Sequence, residues 1–254
     1  MNFAKTTLLG AACAFGMASV STAELVVDFD GGSDDATITA SFPLNTFSSP
    51  GDGWGVYVND TSSTPWSLLD ESADNASDKV GIYDSSKADA FFGVVDTVNN
   101  DISDEVSVTF DFDVSAMAGA DLDVTIEMGA MGDFEASSDL LNWTYSVDDG
   151  AAQELFAITI DEEATHTYAM EAITYDWNDP AFIGDTMLTN VVQDFTKSVT
   201  VAPGATSLKL TLTAKLNGGE EAYAFDNIRV AAIPEPASLA LLGLGGLAML
   251  RRRK

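Results

Sequence analysis

The chain reads as an all-β protein, a single antiparallel β-sandwich of jelly-roll type. Three observations predict this. Apolar and polar residues alternate with period two over much of the sequence; Gly, Asp, Ser and Pro cluster between the alternating stretches; and no stretch shows convincing helical amphipathicity. Residues 165–173 come nearest to an exception, and there Thr165, Thr167 and Tyr168 favour a strand.

The elements follow in order. A first strand is expected over Leu25 to Asp30. In residues 104–114, Val106, Val108, Phe110, Phe112 and Val114 share one face, and Ser107, Thr109, Asp111 and Asp113 share the other. Leu122, Val124, Ile126 and Met128 repeat the pattern, as do Trp143, Tyr145 and Val147, and then Phe156, Ile158 and Ile160. Asp148-Asp149-Gly150 lies between the last two runs and predicts a hairpin over residues 141–160. Leu208, Leu210 and Leu212 mark a late strand, and Ala222 to Val230 the closing one. The first and last strands are expected to lie close together. Long connections are expected at residues 30–35, 45–53, 59–65, 70–78 and 176–186. This strand content, with one polar face per strand, suits two packed sheets.

The two ends differ from the body. Residues 1–23 have the form of a secretory signal peptide: Lys5 supplies a positive start, Leu8 to Val20 an apolar stretch, and Ser21-Thr22-Ala23 a cleavage site for signal peptidase after Ala23. The single cysteine, Cys13, lies within this segment. A lipoprotein reading of Cys13 is disfavoured because Leu9 sits one position too early. The mature chain is therefore expected to carry no disulfide, thiol nucleophile or cysteine-bound zinc. The body spans residues 24–232, with 39 Asp and Glu against six Lys and Arg, a formal charge of −33 compared with −29 for the whole chain. Such a surface repels nucleic acid and anionic lipid and offers oxygen ligands to hard cations.

Residues 233–254 form a distinct tail. Pro234, Glu235 and Pro236 precede an uncharged run from Ala237 to Leu250, and Arg251, Arg252, Arg253 and Lys254 end the chain. As a helix the apolar run spans about 21 Å, short of the roughly 30 Å bilayer core. The terminal cations resist translocation, and the prolines keep the preceding segment extended. The order of tripeptide, apolar helix and basic end resembles the PEP-CTERM sorting tail of exported bacterial proteins. The resemblance implies that a membrane-embedded exosortase recognises Pro234, Glu235 and Pro236 and that the apolar run and Arg251, Arg252 and Arg253 are then removed. It implies delivery to the cell surface or an extracellular polysaccharide matrix, with the membrane engaged only through the tail before processing.

Candidate ligand sites in the body come from residue chemistry. Asp28 and Asp30 at the end of the first strand, with Asp226 in the last, are the candidate ligands for a structural Ca²⁺. Trp54, Trp66, Tyr175 and Trp177 fall within or directly beside expected connections and are the candidate glycan contacts, because such rings combine an apolar face with a polar handle. Each could equally pin its loop to the sandwich. Residues 224–230, Ala-Phe-Asp-Asn-Ile-Arg-Val, are similar to the closing strand of jelly rolls of the carbohydrate-binding-module kind.

No catalytic residue is assigned. His166 is the single histidine, and no nucleophile-elbow, zinc-protease or phosphate-loop motif occurs. The expectation is a non-enzymatic exported surface or matrix protein. The alternative is a lectin-like module for extracellular polysaccharide, and a glycan-active enzyme comes third.

Overall fold

The computed structural model describes residues 23–32, 34–58, 81–83, 89–170 and 173–234. Within them fifteen strands form: β1 (Glu24–Val27), β2 (Ala36–Ala40), β3 (Gly53–Val58), β4 (Ala90–Val95), β5 (Val106–Asp113), β6 (Asp121–Gly132), β7 (Leu140–Val147), β8 (Gln153–Ile160), β9 (Thr165–Met170), β10 (Ile173–Asn178), β11 (Ala181–Ile183), β12 (Thr186–Met187), β13 (Gln193–Thr200), β14 (Ser207–Lys215) and β15 (Glu221–Ala232). The described residues contain one 3-10 turn, Ser115–Met117, and no helix long and apolar enough to cross a membrane.

Two sheets carry the fold. The first, sheet A, runs β13-β6-β15-β4-β3, with β1 also on β15; the second, sheet B, runs β12-β11-β8-β7-β14-β5-β2. Chain order explains the pairing. β4, β5 and β6 alternate between the sheets and meet β15, β14 and β13 returning the other way, which is the double winding of a jelly roll. All pairings are antiparallel, and the residues whose alternation marked them as inward do face the partner sheet.

The centre is aromatic. Phe225 stacks on Phe92 at 4.8 Å and meets Trp143 edge-on at 5.0 Å and Phe110 at 5.9 Å. Around this group pack Val108 and Phe112 of β5, Leu210 and Leu212 of β14, and Ile126 and Met128 of β6. Such pairs add about 0.5–1.5 kcal/mol each beyond the burial of their area. Trp143 Nε1 donates to the Tyr223 hydroxyl at 2.7 Å, so the polar atoms in this layer satisfy one another.

The 141–160 hairpin forms as expected. Asp148 and Asp149 take φ of 48° and 57°, the left-handed geometry that tight hairpin turns require and Asp tolerates. The terminal strands also pair, Val27 opposite Ile228 and Glu24 opposite Ala231. β15 is divided by a bulge between Asp226 and Arg229, where Asn227 has φ of 50°. Before the bulge β15 pairs with β4, after it with β1, and β6 lies along its other edge on both sides. The extra residue reverses which parity faces inward: Tyr223 and Phe225 before it, Ile228 and Val230 after it.

Sheet A is covered on its outer side as well. Ala222 and Ala224 of β15, Phe91 and Val95 of β4, and Met131 of β6 form a second apolar cluster with Tyr57, Ile82, Tyr83 and Tyr168. The β9–β10 hairpin lies over this cluster as a separate two-stranded ladder, hydrogen-bonded to neither sheet's strands in register.

Candidate functional site

An acidic cleft opens where β6 ends and β15 begins. Gly132 pairs with Glu221. A Cβ at Gly132 would lie 2.1 Å from the Glu220 carbonyl oxygen, so only glycine lets the two chains cross this tightly. Beyond it, the segment 133–139 curls back and is stapled by Asp139, whose Oδ2 accepts from Glu135 N–H at 2.6 Å and whose Oδ1 accepts from Asn217 N–H at 3.3 Å. Glu221 is 3% exposed, and its Oε2 accepts from Gly218 N–H at 3.2 Å. The result brings one carboxylate oxygen from each of Glu135, Asp139 and Glu221 within 4.8 Å of one another.

The cleft has a volume of about 400 Å³ and is lined by Asp133, Glu135, Ser138, Asn217, Glu220 and Glu221 with two glycines. No lysine or arginine lines it among the described residues. Burial, then the charges of Asp139 and Glu135, push Glu221 from its ordinary 4.5 up to about 9. Burial, then Asp139, raises Glu135, and burial, then Asp179, raises Asp133. Ca²⁺ takes oxygen ligands at roughly 2.3–2.6 Å, so two oxygens on one ion lie at most about 5 Å apart. The triad meets that spacing.

The sequence candidates fall elsewhere. Asp28, Asp30 and Asp226 are not brought together, although their strands are neighbours. Asp28 accepts from Asp30 N–H, and Asp30 accepts from Ala90 N–H at 2.8 Å. Asp226, 1% exposed, lies before the bulge, where β15 faces β4 and β6 rather than β1. There it accepts from Asn227, whose amide also donates to Glu127. The only carboxylate triad of ligand spacing among the described residues is Glu135, Asp139 and Glu221. Two loops 82 positions apart in the chain build it, so no local spacing could have announced it.

Trp54 requires a correction: it is no glycan contact. It lies in β3, 1% exposed, against Phe92, with Nε1 donating to the Phe42 carbonyl at 3.3 Å. A strand buried on both faces shows no alternation and so reads in the sequence as a connection. Tyr175 and Trp177 lie on one face of β10 with ring centres 6.4 Å apart; Tyr175 is 37% exposed and Trp177 half-buried. Ala23 and Pro234 are exposed where the sandwich begins and ends. Trp66, Glu235, Pro236, Arg251, Arg252 and Arg253 lie outside the described residues.

Residues 232–254 match the description PEP-CTERM protein-sorting motif. The chain carries a PEP-CTERM sorting motif. That motif is the signal for exosortase-type sorting and implies an exported protein that is anchored in the membrane before processing. No curated protein matches the sequence. Among solved structures, an apo form cyclase from Fischerella sp. is 11% identical, with 86% of this chain and all of that chain covered, at a TM-score of 0.46. The CBM22-1 xylan-binding domain from Paenibacillus barcinonensis Xyn10C is 10% identical, with 86% and 100% covered, at 0.35. TmCBM27, a carbohydrate-binding module described for mannan recognition, is 12% identical, with 84% and 98% covered, at 0.31.

Proposed function

We propose that this protein is a non-catalytic component of the cell surface or extracellular matrix, delivered by its tail and stabilised outside the cell by a divalent cation. The observation that carries the reading is the sorting motif at residues 232–254, attached directly to a β-sandwich. Export delivers the domain to surroundings where Ca²⁺ is plentiful, and extracellular modules bind it with modest affinity, Kd about 10⁻⁴–10⁻³ M. Glu135, Asp139 and Glu221 are the proposed ligands. The bound ion would relieve the repulsion among three carboxylates that no Lys or Arg lining the cleft among the described residues offsets. In this reading signal peptidase cuts after Ala23, and the exosortase-type enzyme acts at Pro234, Glu235 and Pro236.

Intact mass measurement on the exported protein tests the delivery. A mature species lacking Arg251 to Lys254 is expected; retention of Lys254 on surface protein would contradict removal of the tail. Carbohydrate binding is the second reading, favoured by Tyr175 and Trp177 sharing one face of an outer hairpin.

A further inference from the structure

The β9–β10 hairpin has two unequal faces. His166 pairs with Trp177 and Tyr168 with Tyr175, so these four rings share one face. Thr165, Thr167, Asp176 and Asn178 share the other, where Thr165 donates to Asn178 and Thr167 to Asp176. The aromatic face lies against the outer cluster of sheet A: Tyr168 is fully buried in it and Trp177 packs against its edge.

Two polar atoms on that face have no hydrogen-bond partner. They are the Tyr168 hydroxyl and Trp177 Nε1, both buried. The Gly132 backbone comes near the Tyr168 oxygen and partly offsets the effect of burial, which raises the group to about 12, but without the geometry of a hydrogen bond. Buried donors are nearly always satisfied, so a pair of orphans on one face calls for an occupant. The missing partner must offer oxygen acceptors. An anionic ligand is disfavoured by Asp176 and Asp179 at this end of the hairpin, and a quaternary ammonium has nothing to accept the two donors. A neutral ring with hydroxyl and ether oxygens on its edge and C–H groups on its face meets both needs.

We propose that the aromatic face of this hairpin, at its rim with sheet A, binds a pyranose unit of a neutral polysaccharide. Trp177 and Tyr175 supply the stacking surface, and Trp177 Nε1 and the Tyr168 hydroxyl donate to sugar oxygens. Because both donors are buried, binding requires the hairpin to shift. It forms its own ladder, extended by Asp179 N–H to the Ala164 carbonyl at 3.0 Å, and the bonds that tie it down among the described residues are Phe134 N–H to the Asp179 carbonyl at 3.3 Å and Asn190 Nδ2 to the Ala169 carbonyl at 3.1 Å. A two-stranded ribbon is marginal alone, so its seating depends on what packs beneath it. The proposal rests on the carbohydrate reading above and assigns that reading a place.

The test is thermal unfolding and titration of the exported protein with cellohexaose, xylohexaose and mannohexaose. At least one is expected to raise Tm. Trp177→Phe and Tyr168→Phe should each weaken that oligosaccharide tenfold or more. Tyr168→Phe, which deletes an unpartnered hydroxyl, should leave the unliganded Tm equal or higher. If none of the three sugars shifts Tm, the pyranose site is overturned and the surface-protein reading stands untouched. Binding unchanged in both variants overturns this site while leaving carbohydrate binding intact elsewhere. A lower unliganded Tm in Tyr168→Phe would show that the hydroxyl has an internal partner, which also overturns it.

Discussion

The two sides of sheet A are built to different standards. On the inner side, Trp143 Nε1 meets the Tyr223 hydroxyl and Trp54 Nε1 meets a carbonyl, so its polar aromatics are satisfied by the chain itself. On the outer side, Tyr168 and Trp177 keep donors without acceptors; at the end of the same sheet, just beyond Gly132, three carboxylates crowd together with no cation lining the cleft among the described residues. Both sides are formed largely by β4, β6 and β15, so strand identity does not explain the contrast. Folding completes the inner layer. The outer side and the end of the sheet hold groups that folding leaves without partners, and such groups are candidates for functional ground.

Substitutions should separate the two sides, beginning with the greatest loss. Phe225→Ala removes the ring at the centre of the inner layer. It should cost about 3–5 kcal/mol, measured by denaturant unfolding of the exported protein. Tyr223→Phe removes the acceptor for Trp143 Nε1 and strands a buried donor, for about 1–3 kcal/mol. A negligible effect would show that the inner layer tolerates orphans as the outer one does.

The acidic cleft makes a prediction in pH. Glu221 has its folded pKa raised from 4.5 to about 9, so the stability it contributes is complete below 4.5 and is lost as pH rises toward 9. Without divalent metal, Tm should therefore decline from pH 5 to pH 9. Glu221→Gln, which cannot ionise, should decline less and exceed the wild type at pH 9. Identical pH profiles would show that Glu221 is not strained by ionisation. The smallest effect is Tyr168→Phe, neutral or slightly stabilising in the absence of sugar, against the clear loss expected from Tyr223→Phe.

The inner layer was largely legible in the sequence, and the outer one was not. Val106 to Val114 and Leu208 to Leu212 alternate because each strand has one buried face, and the Asp-Asp-Gly turn carries its own backbone chemistry. The pairing of first and last strands followed from the jelly-roll reading. By contrast, β4, Ala90 to Val95, is buried throughout and shows no period. Trp54 in the neighbouring β3 reads as a loop residue for the same reason. β11 and β12 lie within a stretch that reads as a connection, because strands of three and two residues are set by their neighbours' edges and not by their own pattern. Tyr175 and Trp177 were singled out from residue type, but that Tyr168 and His166 join them depends on the register of a hairpin. Glu135, Asp139 and Glu221 stand among 40 acidic residues, and only the crossing of two distant loops distinguishes them.

Calcium tests the account most directly, because the cleft is the sharpest case of a group the fold leaves incomplete. Thermal unfolding at pH 8 should be compared in Ca²⁺ and in chelator, for the exported wild type and for Glu221→Gln. The account expects Ca²⁺ to raise the wild-type Tm, chelator to reverse the gain, and Glu221→Gln to respond weakly or not at all. A wild-type Tm indifferent to calcium, or a variant that responds as the wild type does, would contradict it.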